Sequence, residues 1–70
     1  MFRRFAVYVH DRKTGTRIES EILLNLSIIA RIYIDEKDGD TKIETWICDG
    51  SYTFVSRVEY KFLAEVLEQI

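Results

Sequence analysis

Glycine occurs at three places in this chain, each close to an aspartate, and proline occurs nowhere. Those places divide the sequence into short stretches in which apolar and polar residues alternate. Alternation with a period of two marks a strand with one buried face, and turn residues between such stretches mark hairpins. Asp11-Arg12-Lys13-Thr14-Gly15 predicts a type I turn with a bulge, in which Gly15 supplies the positive φ. Asp35 to Asp40 predicts a second turn, centred on Asp38-Gly39. Asp49-Gly50 predicts a two-residue type I′ turn. Strands are expected over about 2–10, 16–24, 28–35, 41–48 and 51–55.

The turns fix trial registers. With Asp11 facing Thr16, Val9 faces Ile18, Val7 faces Ser20 and Phe5 faces Ile22. With Asp38-Gly39 as a two-residue turn, Ile34 faces Ile43, Ile32 faces Thr45 and Ala30 faces Ile47. With Asp49-Gly50 as another, Ile47 faces Tyr52 and Thr45 faces Phe54. Each register gathers its apolar residues on one face, as a sheet with one covered side requires. The period then changes. Val58, Phe62, Leu63, Val66, Leu67 and Ile70 form a helical stripe, and Ser56 with Glu59 reads as a capping box, predicting a helix over about 57–69. The fold class expected is α+β: a five-stranded antiparallel β-meander with one C-terminal α-helix packed on one face, the strand order in the sheet being left open.

Seventy residues suffice for one domain, spanning 1–70. A chain this short buries only about 60% of its unfolded surface, so a disulfide or a metal would be a common aid. It has one cysteine, Cys48, and one histidine, His10. An internal disulfide is excluded, no zinc-ligand spacing is present, and no cofactor is expected. The 47% of hydrophobic residues must supply the core. A lone cysteine suits a reducing compartment, no secretory signal is expected, and no apolar run reaches the roughly 18 residues of a membrane span. A cytoplasmic protein is the expectation. Asn25-Leu26-Ser27 matches a glycosylation acceptor in form only.

Charge is unevenly spread. Residues 1–18 hold Arg3, Arg4, Arg12, Lys13 and Arg17 against Asp11, a balance of +4, while residues 19–70 hold five basic and eleven acidic residues, a balance of −6. The first hairpin is thus a basic element on an acidic body. The registers place Tyr8, His10, Arg17, Glu19, Glu21, Arg31, Tyr33, Glu44, Trp46, Cys48, Thr53 and Val55 on the face away from the helix, with Arg31 opposite Trp46. Aromatic rings beside arginines suit a protein interface or the stacking of bases, and they also occur as ordinary cross-strand cation–π pairs. The candidate partner-binding residues are Tyr8, Arg17, Arg31, Tyr33 and Trp46. Arg3, Arg4, Arg12 and Lys13 are candidates for phosphate contact, although the three glutamates on the same face oppose a nucleic-acid backbone lying across it.

Two chemical readings are set aside. The acidic loop 35–40 cannot be an EF-hand, because aligning Gly39 with the loop glycine puts Ile34 and Thr45 at ligand positions. His10 and Cys48 lack the base and orienting group that a nucleophile needs, so no enzyme is expected.

The segment TKIETWICDGSYTFVSRVEYKFLAEVLEQI, Thr41 to Ile70, resembles the closing half of small FlbD-like flagellar proteins: strand, glycine turn, strand, serine-led helix. Leu26 to Ile34 matches the preceding strand, and the same part is similar to the end of LytTR-type DNA-binding domains. The resemblance implies a small regulatory or adaptor protein in a bacterial or phage setting. The function expected is a non-catalytic interaction or regulatory module that binds a protein, or a second copy of itself, through the aromatic and arginine face. A nucleic-acid binder using the basic hairpin is the alternative.

Overall fold

A computed structural model describes residues 1–69; Ile70, expected in the helical stripe, lies outside the described residues. Five strands, β1 (Phe2–His10), β2 (Arg17–Asn25), β3 (Ile29–Ile34), β4 (Thr41–Ile47) and β5 (Gly50–Ser56), precede one helix, α1 (Tyr60–Glu68). A single 3-10 turn, Leu26–Ile28, links β2 to β3. The strands form one antiparallel sheet, so the α+β class is as the sequence predicts.

The strand order differs from a sequential meander. It is β2-β1-β5-β4-β3, closed between β1 and β5 and open between β2 and β3. The antiparallel pairings make β2 and β3 run the same way, so no hairpin can join them. The Asn25 side chain accepts hydrogen bonds from Ser27 N (3.1 Å) and Ser27 Oγ (3.0 Å), and this carries the chain forward instead of reversing it. The short link also shapes the sheet. Four Cα steps reach at most about 14 Å, whereas four interstrand spacings in a flat sheet span about 19 Å. The sheet must therefore roll up, bringing the end of β2 to the start of β3.

The β1–β2 register is the predicted one: Phe5 faces Ile22, Val7 faces Ser20 and Val9 faces Ile18. The other two hairpins are each displaced by two residues. Ile34 pairs with Thr41 and Ile32 with Ile43, because the whole segment 35–40 is the loop. Thr45 pairs with Tyr52 and Ile47 with Gly50, so the turn is Cys48-Asp49, with Cys48 at φ 52°. A shift of two preserves which face is apolar, which is why the predicted faces hold while the predicted partners do not.

The two longer loops are the same device. Gly15 N donates to Asp11 O (2.8 Å), Asp11 N to Thr16 O (2.9 Å) and Lys13 N to the Asp11 carboxylate (2.9 Å). In the second, Gly39 N donates to Asp35 O (2.7 Å), Asp35 N to Asp40 O (2.9 Å) and Lys37 N to the Asp35 carboxylate (3.0 Å). Gly15 and Gly39 sit at φ 70° and 75°. The pattern Asp-x-Lys-x-Gly encodes both, and it overrides the two-residue turn expected at Asp38-Gly39.

The core lies on the inner side of the rolled sheet: Phe5, Val7, Leu24, Ile43 and, from α1, Leu63, with Ile22, Ile32, Phe54, Val58 and Leu67 packed around them. The helix begins at Tyr60, three residues later than predicted. Ser56 is still in β5, and its hydroxyl exchanges hydrogen bonds with Val58 N and O (2.9 Å each), so the capping box does not form. Glu59 takes the N-cap position without a side-chain bond, its carbonyl accepting from Phe62 N and Leu63 N at 3.1 Å.

Candidate interaction surface

The outer face of the sheet carries the predicted aromatics and arginines, but most of them engage one another. Tyr8 pairs with Glu19 on β2 and Val55 on β5, and Lys42 on β4 pairs with Val55 and with Tyr33 on β3. Arg17 lies over the Tyr8 ring, 5.7 Å from its centre, and hydrogen-bonds the Asp40 carboxylate. That bond holds the Arg17 pKa above its ordinary value. Arg31 lies 4.3 Å from the centre of the Tyr33 ring, with Nη2 3.3 Å from Glu44 Oε1. It stands opposite Glu44, not Trp46, as the displaced register requires.

A second cluster completes this lattice. Lys42 Nζ is 3.0 Å from Asp38 Oδ2 and 3.7 Å from Asp35 Oδ2. The backbone N–H of Asp40, donating to Asp38 at 2.9 Å, and the Lys42 ammonium together hold the Asp38 carboxyl below its usual range. The Asp38 bond in turn raises Lys42. The charge imbalance between the first segment and the body is thus partly neutralised at the surface, by Arg17–Asp40 and Arg4–Glu21.

Arg57, which the sequence reading left out, clamps the sheet. β1 and β5 pair at only two positions, Val7 with Ser56 and Tyr8 with Val55. Just beyond, Arg57 N donates to Ala6 O (2.9 Å), Nε to Val7 O (3.1 Å) and Nη2 to Ser20 O (3.0 Å), while Nη1 is 3.3 Å from Glu19 Oε2. One side chain thereby ties the last strand to the first two. No local pattern announces this, since its partners lie far away in sequence.

Trp46 stands outside the lattice. It sits next to the β4–β5 turn, opposite Ser51, and is 61% exposed. Four residues expected in the core are exposed at the same end of the sheet, on its inner side: Val9, Ile18, Ile47 and Tyr52. The cause is length. Nine helical residues span about 13.5 Å, whereas nine-residue strands such as β1 and β2 span about 30 Å. The helix covers Phe5, Val7 and Ile43 and stops short of the hairpin tips. There β1 and β5 part, leaving a cleft of about 240 Å³ lined by Val9, His10, Tyr52, Thr53 and neighbours. The Tyr52 ring packs against Phe54 at 4.8 Å.

Arg12 and Lys13 are exposed in the loop at this end. Arg3 and Arg4 lie at the other end of β1, about 25–30 Å away along an extended strand. The four do not form one patch, and Arg4 has Glu21 at 3.8 Å. His10 and Cys48 are both exposed, and among the described residues neither side chain has a hydrogen-bond partner. Among the described residues no three His, Cys, Asp or Glu side chains gather as a metal site, and no helix is long and apolar enough to cross a membrane. No family model, curated protein or solved structure matches the chain.

Proposed function

We propose that this chain is a non-catalytic interaction module that binds a protein partner through the apolar end formed by Trp46, Ile47, Tyr52, Val9 and Ile18. The observation that carries the reading is one end of the sheet where Trp46 is exposed on the outer face and the helix leaves an apolar strip bare on the inner face. Tryptophan and tyrosine contribute disproportionately to binding when a partner removes them from water. Of the residues expected on the partner face, Tyr8 and Arg17 line the cleft at this end, while Arg31 stacks on Tyr33 and pairs with Glu44. Arg12 and Lys13 flank it and favour a partner with an acidic rim. The implied regulatory role of the closing hairpin and helix agrees with an adaptor of this kind.

The test is retention of a partner from cell extract on immobilised protein, with Trp46→Ala and Tyr52→Ala compared with the original chain. Both side chains are largely in water, so circular dichroism and thermal midpoint should change little. Retention should fall at least tenfold. Undiminished retention by the folded double variant would refute the proposal. Retention of single-stranded nucleic acid with a steep salt dependence, lost on replacing Arg12 and Lys13, would favour the alternative.

A further inference from the structure

The sheet has two free edges, and they differ in what they can accept. Among the described residues no strand pairs with the outer side of β2 or of β3. Alternate backbone groups along each therefore point away from the sheet, as a template for another strand. On β2 the register that pairs the whole strand with a second copy of itself sets Glu21 directly opposite its own copy. A register one residue pair towards Arg17 sets Glu19 opposite Glu21, and only the shift the other way, which sets Glu21 against Leu23, avoids this. Like charges placed so are destabilising, which is a recognised protection of edges.

β3 carries no such protection. Its regular part, Arg31 to Ile34, follows a bulge between Ile29 and Arg31. Ile34 is 54% exposed at this edge. Beside the strand runs a groove in two parts, about 280 Å³ between Ile29 and Ile32 and the helix residues Tyr60, Ala64 and Leu67, and about 350 Å³ between Ile34 and Tyr60, with Arg31, Glu59, Lys61 and Glu68 at its margins. The helix start lies by Ile34 and the helix end by Ile29, so α1 runs opposite to β3.

We infer that β3 is a self-association edge, pairing antiparallel with β3 of a second copy about a twofold axis at Tyr33. That register sets Ile32 against Ile34 of the second copy, ring against ring at Tyr33, and Arg31 against Asp35 of the second copy. It opposes no like charges. It buries Ile34, and it continues the inner apolar face and the outer charged face across the junction. The same twofold gives the two helices opposite polarity. The apolar Ile32–Ile34 and oppositely charged Arg31–Asp35 pairs of this register thus select a second copy as occupant. This goes beyond the proposed protein-binding end, which the twofold leaves free.

The experiment is sedimentation equilibrium across a concentration series, joined to hydrogen exchange of the full chain at the lowest and highest concentrations. The mass should rise towards twice the 8.3 kDa of one chain. Amides of β3 should gain protection with concentration, while those of β2 should not. Ile34→Lys should weaken association at least tenfold, and Leu23→Lys, on the β2 edge and 63% exposed in the original chain, should leave it unchanged. A constant single-chain mass up to millimolar protein overturns the inference. So does association that protects β2 or that Leu23→Lys abolishes. Trp46→Ala separates the two proposals: it should spare the dimer while losing the partner, and a dimer lost with Trp46 would place the contact at the other end.

Discussion

Among the described residues Thr45 is the one polar residue with no exposure at all, and its position explains how this sheet keeps a hydroxyl in its core. Its Oγ1 donates to the Tyr52 carbonyl across the β4–β5 pair at 2.8 Å. Thr45→Val keeps the shape and removes the donor, so the Tyr52 carbonyl loses its second partner and keeps only the ladder bond. The expected cost is about 0.5–1.5 kcal/mol, read as a lower urea midpoint at unchanged slope. The same residue shows what a single sequence conceals. Alternation assigned Thr45 to the inner face correctly, but named Phe54 as its neighbour instead of Tyr52. Trp46 exposes the opposite case. Its place on the outer face was legible, while the engagement of Arg17 and Arg31 was not, because Asp40 and Glu44 come close only through long-range folding.

At the scale of elements, the glycines separate true turns from apparent ones. Gly39 sits at φ 75° in its loop, whereas Gly50 lies within β5 and has no such conformation. An L side chain in the left-handed region costs roughly 1–2 kcal/mol. Gly39→Ala should therefore lower stability by about that amount. Gly50→Ala should be near neutral, since an added Cβ meets nothing within 4 Å. Thermal midpoints of the two variants check this, and equal losses would contradict the observed turn at Cys48-Asp49. The first hairpin was readable residue for residue because its loop carries an unambiguous Asp11 and Gly15. The second loop uses the same signal, Asp35 and Gly39, yet the shorter aspartate–glycine pair inside it suggested a tighter turn. The helix was readable from its stripe, but its start was not. Whether Ser56 caps a helix or ends a strand depends on Tyr8 and Val55, which hold β5 against β1.

For the whole molecule, the acidic loop and the basic residues set against it make stability depend on pH. Asp38 has its folded pKa lowered from 3.8, so its contribution is complete above that value and is lost as pH falls through the lower folded value. The thermal midpoint should drop below about pH 4, and Asp38→Asn should shrink the drop. Lys42 is shifted up from 10.5, so its contribution is lost only as the solution becomes more alkaline than that. Strand order was the least legible feature at this scale, because alternation is the same in a sequential sheet and in one that closes between its first and last strands. That closure rests on two residue pairs and on Arg57. It also sets a timetable for synthesis. The first hairpin leaves the ribosome with the inner edge of β1 bare, and its mate, β5, is the last strand made. At about 5–20 residues per second the edge waits several seconds before Val55 and Ser56 arrive. For that interval the Phe5–Val9 edge has no partner strand, the condition in which a nascent chain is open to pairing with another.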